Sequence, residues 1–198
     1  MFTGIIENLG QLKSRRGAAY AFTAGAGFCR RIKIGDSIAV NGACLTATSV
    51  GRTDFTAEVM PETRKRTTLG KFEIGAAVNL EFPATLATFL SGHLLQGHID
   101  GVGRVVKISR QGNSRLIQFA LPKTLANYVV KKGSVAVNGV SLTVIAVKNN
   151  RFSVGVIPHT WRHTSFRELK TGDLVNLETD VLAKYLEKLV AKKQHAKF

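Results

Sequence analysis

The chain has 198 residues, 44% of them hydrophobic and 21% charged, enough for one large core or two small ones. That balance excludes collagen-like, coiled-coil and wholly disordered classes, and no apolar run approaches the length of a membrane span. Lysine and arginine number 28 against 13 acids, a formal net charge of +15.

The surplus charge is scattered. Arg30-Arg31, Arg64-Lys65-Arg66 and Lys131-Lys132 lie far apart, and no helix-turn-helix, zinc-finger or RNA-binding pattern accompanies them. The charge is therefore read as a solubility feature, with neither nucleic acid nor membrane expected as a partner. Only two cysteines occur, Cys29 and Cys44, without CxxC or metal-ligand spacing, so neither a disulfide framework nor a metal site is expected. Met1-Phe2-Thr3-Gly4 lacks the basic start of a secretory signal, and a cytoplasmic location is expected.

Along the chain, β-branched and aromatic segments bounded by Gly, Asn and Asp predict strands over Ser37–Val40, Leu45–Val50, Phe55–Val59 and Val78–Leu80. Asn41-Gly42 is a tight-turn signal and Gly51-Arg52 a second. Pro83–Leu90, opened by proline and closed by Ser91-Gly92, predicts a short helix. Strands follow over Ser134–Val137, Leu142–Val147, Phe152–Ile157 and Leu174–Leu177, with turns at Asn138-Gly139 and Asn149-Asn150. Asp180–Lys192 predicts a helix N-capped by Asp180, with Val181, Leu182, Tyr185, Leu186, Leu189 and Val190 in one stripe. That stripe either packs on its own barrel or joins subunits. The tail Lys193–Phe198 is expected to fray.

The second set of strands repeats the first. Ser37–Thr46 returns as Ser134–Thr143, Met60–Thr63 as Ile157–Thr160, and Gly75–Glu81 as Gly172–Glu178, all at an offset of 97. About 18 of 45 positions are identical over that stretch. Gly4–Gly10 parallels Gly97–Gly103 at an offset of 93. The chain is a tandem duplication, and about six short antiparallel strands per copy predict a small closed barrel, which leaves no exposed edges.

Polar loops at strand ends offer Asn, Ser, Thr and backbone groups, an inventory suited to a flat, hydrogen-bonding heterocycle. No phosphate-cradling GxxxxGK[ST] exists. Cys44 reads either as a nucleophile or proton donor or as a buried hydrophobe. His93 and His98 flank the junction Leu94-Leu95-Gln96-Gly97, and either can serve as a general base. Ser141 replaces Cys44 in the second copy and His159 replaces Glu62. Two similar but unequal pockets suit a reaction that uses two like molecules in different roles.

Met1-Phe2-Thr3-Gly4-Ile5, Asn41–Thr46, Gly92-His93-Leu94-Leu95-Gln96-Gly97-His98, Asn138–Thr143 and Ile157–Thr160 together resemble the signatures of the riboflavin synthase family, in order and across nearly the whole chain. The resemblance implies an all-β fold of two pseudo-symmetric six-stranded Greek-key lumazine-binding barrels, over 1–94 and 95–182, with a trimerisation helix and tail over 183–198. It implies a dismutation of two 6,7-dimethyl-8-ribityllumazine molecules, with no metal or redox cofactor. It also implies a homotrimer whose active site lies between the N-barrel of one subunit and the C-barrel of a neighbour, and it allows an association with lumazine synthase.

By motif, the resemblance groups Gly4, Ile5, Ile6, Cys44, Leu45, Thr46, Glu58, Val59, Met60, Pro61, Glu62 and Thr63 as ligand contacts of the N-barrel. For the C-barrel it groups Gly97, His98, Ile99, Ser141, Leu142, Thr143, Gly155, Val156, Ile157, Pro158, His159 and Thr160, with Lys132. His98, Cys44, Ser37, Ser141 and Asp180 are implied as chemically important, with Phe2 shaping the site. His98 and Ser141 are read as handling protons and Cys44 as belonging to the acceptor pocket. Some relatives carry Asp where Asn138 stands; a base there would have to be replaced in this chain by His98 or water.

Two other classes compete. A non-catalytic lumazine or flavin carrier of the antenna type uses the same duplicated fold but needs only one good pocket. Here both copies keep NG-x-[CS]-LT, which favours the enzyme. A charge-driven nucleic-acid binder would show steeply salt-dependent binding to any duplex.

Overall fold

The computed structural model describes residues 1–194. The first copy forms β1 (Asn8–Arg16), β2 (Ala19–Thr23), β3 (Ser37–Val40), β4 (Ala43–Val50), β5 (Asp54–Glu58) and β6 (Ala77–Glu81). They close into an antiparallel barrel in the order β1-β2-β5-β4-β3-β6. The second copy, β7 (Gly101–Gln111), β8 (Ser114–Ala120), β9 (Ser134–Val137), β10 (Val140–Lys148), β11 (Arg151–Val156) and β12 (Leu174–Thr179), closes in the equivalent cyclic order.

Strand alternation fills each barrel with side chains. In the first, Phe22 and Phe55 face each other in register with ring centroids 5.5 Å apart. In the second, Phe119 and Phe152 do the same at 5.3 Å. Such cross-strand aromatic pairs are a principal packing unit of sheets. Bulges recur at matching places, between Ala47 and Ser49 and between Val144 and Ala146, adding the curvature that closure requires.

Both Asn-Gly turns have positive φ at each central residue, 45° and 79° at Asn41-Gly42, 46° and 78° at Asn138-Gly139, as a two-residue hairpin demands. The turns meet back to back across the pseudo-twofold. A Cβ on Gly42 would lie 2.8 Å from the Gly139 nitrogen, so only glycine allows the approach. Around them four buried asparagines cross-link the barrels. Asn79 Nδ2 donates to the Asn138 carbonyl at 2.9 Å, and Asn176 Nδ2 to the Asn41 carbonyl at 2.8 Å. Asn79 Oδ1 accepts from the Ser165 N–H, and Asn176 Oδ1 from the Thr68 N–H, each at 2.7 Å.

Pro83–Leu90 is not the helix expected. It is an extended segment with one exposed turn, in which the Thr88 hydroxyl accepts from the Thr85 N–H. Eight residues cannot sustain a helix unaided, and Leu86 and Phe89, fully or nearly fully exposed, have nothing to pack on. The short helices lie elsewhere: α1 (Gly25–Cys29), α2 (Pro61–Arg66) and α3 (Pro158–His163). The terminal helix α4 (Val181–Gln194) begins as expected, with the Asp180 carboxylate accepting from the Leu182 N–H at 3.0 Å. Lys193 and Gln194 are still helical, and 195–198 lie outside the described residues.

The polar side of α4 faces the C-barrel, where Lys184 pairs with Asp100 at 2.6 Å and Glu187 accepts from the Tyr128 hydroxyl. Its apolar stripe of Leu182, Tyr185, Leu186, Leu189 and Val190 points away and stays exposed. No described residue of the helix's own barrel covers it. No helix among the described residues is long and apolar enough to cross a membrane.

Candidate active site

Ladder parity sets which side chains face outward. Ser37 pairs with Thr46 and Ala39 with Cys44, while Ile38 and Leu45 between them fill the interior. Ser134, Ala136, Ser141 and Thr143 repeat this on the second barrel. The candidate site residues Ser37, Cys44, Thr46, Ser141 and Thr143 thus stand on the outer barrel walls.

Each wall is crossed by the segment leading into the other barrel. The Gly97 carbonyl accepts from the Cys44 N–H, and the Gly4 carbonyl from the Ser141 N–H, both at 2.9 Å. Ile99 packs on the N-barrel core and Ile6 on the C-barrel core. The resemblance groups Gly4–Ile6 with the N-barrel and Gly97–Ile99 with the C-barrel; the structure exchanges them. The exchange follows from the two leaders pairing with each other, Phe2 N–H donating to the Leu95 carbonyl at 2.7 Å and Leu95 N–H to the Phe2 carbonyl at 3.0 Å. Phe2 and Leu95 are buried with Ala39 and Ala136 in a small core between the barrels.

Glycine at positions 4 and 97 is a steric necessity. A Cβ at Gly97 would sit 2.5 Å from Cys44 Cβ, and one at Gly4 would sit 2.6 Å from Ser141 Cβ, with φ already positive at both. Two buried carboxylates hold these leaders. Glu81 accepts from the Thr3 N–H at 2.7 Å, the Thr3 hydroxyl at 2.8 Å and the Gly4 N–H. Glu178 accepts from the Gln96 N–H at 2.6 Å and the Gly97 N–H at 3.0 Å. Burial raises both carboxyls above the ordinary range, against the pull of those bonds, and pushes Glu178 up to about 7.

The first cradle is a hollow of about 180 Å³ bounded by Cys44, Glu62, Thr63, Arg66, Gly97, His98 and Ile99. His98 is exposed at its rim, and Glu62 is engaged by Arg66 one helical turn on, whose hydrogen bond holds the carboxyl below its usual range.

The second cradle centres on Ser141, whose Oγ lies 2.7 Å from His93 Nδ1. His93 is 92% buried, and its Nε2 has no partner among the described residues. Burial lowers the His93 pKa, opposed by the nearby Asp180 carboxylate, so the ring is neutral near pH 7 and able to accept a proton. His159 stacks on His163 at 4.2 Å on α3, and Trp161 lies beneath Arg115 at 5.4 Å.

The remaining expected residues divide by position. Val59, Val156, Leu45 and Leu142 belong to the barrel cores. Glu58, Met60, Pro61, Gly155, Ile157 and His159 are exposed at the strand and helix ends beside the walls, and Thr63, Pro158 and Thr160 are half-buried there. Lys132 sits at positive φ, 67°, where the first copy has Gly35, keeping a side chain at a backbone cost. Asn138 belongs to the inter-barrel asparagines, its Oδ1 accepting from the Asn176 N–H at 2.8 Å. A larger hollow of about 380 Å³ opens on the pseudo-twofold between Thr68 and Ser165, and of the expected residues only Asn138 reaches it.

Sequence reasoning passed over Glu81 and Glu178. Their signal was an acid at the same place, after Asn-Leu, in the last strand of both copies. Among the described residues no three His, Cys, Asp or Glu side chains cluster as metal ligands would.

The profile of the lumazine binding domain matches residues 3–83 and again 96–180. Riboflavin synthase of Actinobacillus pleuropneumoniae is 40% identical over 196 residues, covering 98% of this chain and 91% of that protein. The synthase of Mycobacterium bovis is 41% identical over 203 residues, covering 96% and 98%. That of Bacillus subtilis is 37% identical over 195 residues, covering 97% and 91%. In fold the chain is similar to LumP crystallised with 6,7-dimethyl-8-(1'-D-ribityl) lumazine, with a TM-score of 0.81 at 23% identity over 90% of this chain and 99% of that one. Two matches to one binding domain, with identity near 40% over nine-tenths or more of each synthase, settle the assignment: the chain belongs to the riboflavin synthase family.

Proposed function

We propose that this protein transfers a four-carbon unit between two molecules of 6,7-dimethyl-8-ribityllumazine, giving riboflavin and 5-amino-6-ribitylamino-uracil. The observation that carries the reading is the inequality of two cradles built on one plan. One presents a hydroxyl bonded to a buried histidine, the other a thiol beside an exposed histidine.

The C7 methyl of a lumazine is acidic because its carbanion delocalises into the ring, so a modest base suffices. Ser141 backed by His93 is suited to take that proton, the hydroxyl passing its own proton to His93 Nδ1. Cys44 and His98 are suited to the second molecule, which accepts a nucleophile at C7. Holding two rings in register supplies much of the acceleration as effective molarity.

A hollow of about 180 Å³ is too small to enclose a ribityllumazine alone. We infer that a neighbouring copy completes it in a homotrimer, and the outward stripe of α4 is the surface that supports assembly. Incubation of the purified protein with the lumazine tests the function. One riboflavin per two lumazines consumed is expected. Bound fluorescence without riboflavin would leave a carrier instead.

A further inference from the structure

We propose that Glu178 is a positioning residue for the Cys44–His98 cradle, holding through Gln96 and Gly97 the segment that carries His98 against the Cys44 wall. Its two carboxylate oxygens are divided, Oε1 taking the Gln96 N–H and Oε2 the Gly97 N–H. The next residue is His98, and Gly97 itself lies in direct contact with Cys44. The clamp therefore fixes the one histidine and the one thiol of that cradle relative to each other.

The duplicated copy supplies the contrast. Glu81 does the same for the other leader with a third donor, the Thr3 hydroxyl. Gln96 stands where Thr3 stands, so the hydroxyl is missing and Glu178 holds its leader with two donors rather than three. The charged groups around Glu178 are Asp100, from the approach to β7, and Lys184, from α4; they are bonded to each other. No side-chain cation bonds Glu178 among the described residues, so main-chain donors carry the buried charge. A glutamine cannot replace it fully, because its amide offers one acceptor oxygen and turns an NH₂ toward the second N–H.

The kinetic side of this inference rests on the proposed function; the thiol readout does not. Wild-type, Glu178→Gln and Glu81→Gln proteins are alkylated with iodoacetamide at fixed pH, and Cys44 is followed by mass spectrometry with buried Cys29 as reference. Glu178→Gln is expected to speed Cys44 alkylation about three- to tenfold as the Gly97 contact loosens. Glu81→Gln, which clamps the other leader, should leave it within about twofold. Turnover by Glu178→Gln should show kcat falling with little change in KM, and a changed pH profile near neutrality. Equal acceleration in both variants, or in neither, overturns the proposal. Should Glu178→Gln not fold, amide exchange on the wild type decides. Protection at Gln96 and Gly97 well above that of exposed loop amides supports the clamp, and its absence overturns it. Selective Cys44 exposure in a protein that makes no riboflavin would sink the proposed function and leave the clamp standing.

Discussion

At the level of single side chains, the His93–Ser141 contact carries the most weight. Truncating Ser141 to alanine leaves His93 Nδ1 without a partner in a buried site, which costs about 1–3 kcal/mol of stability. Turnover should fall by about 10²–10⁴, the usual contribution of a positioned acid or base, with lumazine affinity nearly kept. Steady-state kinetics beside fluorescence titration separates the two, and a loss confined to affinity would remove the proton role. Glu178 makes a second prediction. Its carboxyl titrates near 7 in the folded chain but near 4.5 in the unfolded one, so over that window the native state binds more protons. Stability conferred by this residue is therefore full below about pH 4.5 and is lost as pH rises to 7. Denaturant midpoints of Glu178→Gln, which does not titrate, should gain on the wild type across this window by up to about 2–3 kcal/mol. A difference that stays constant with pH would contradict the assignment.

Among elements, the leaders and α4 decide how the site is built. Gly97→Ala brings a Cβ to 2.5 Å of Cys44 at a φ of +81°, and should destabilise the fold by about 2–4 kcal/mol. Gly112→Ala, with φ +59° but open space around it, should cost only about 1 kcal/mol, which thermal unfolding of the pair can resolve. Changing Leu186 and Leu189 to lysine on the outward stripe should disperse the proposed trimer, seen as a single-chain mass in sedimentation. Much of this architecture was legible beforehand. The strands Ser37–Val40 and Ser134–Val137 and both Asn-Gly turns stand where pattern places them, because hairpin turns demand residues tolerant of positive φ. β1, β2, β7 and β8 went unnamed, and β1 shows why: within Asn8–Arg16 only Gly10 and Leu12 are buried, too few for an apolar alternation. The exchange of leaders was hidden for another reason. Motif grouping follows chain order, whereas the Phe2–Leu95 pairing that crosses the leaders is a contact 93 residues apart.

For the molecule as a whole, the question is what makes two copied barrels one body. The four asparagines answer it, and they are not equivalent. Asn79 and Asn176 each use both side-chain atoms across the interface, Oδ1 as acceptor and Nδ2 as donor. Asn138 and Asn41 use only Oδ1 in their bonds, each toward a strand N–H of its own barrel. Aspartate is therefore compatible with position 138, since it keeps the acceptor and the tolerance of left-handed φ. An aspartate at 138 thus has a structural reading that needs no catalytic base there. At position 176 the same change removes the donor to the Asn41 carbonyl and sets a carboxylate oxygen against it at 2.8 Å, in a residue that is 1% exposed. Asn176→Asp should cost about 3–5 kcal/mol, as an uncompensated buried charge facing a carbonyl does, and Asn138→Asp less, about 1–2 kcal/mol, because its carboxylate keeps the Asn176 N–H. Denaturant titration of the two variants at pH 8 measures both. Equal costs would mean that the asparagines merely fill the interface and that the crossing leaders and the Phe2–Leu95 core join the barrels.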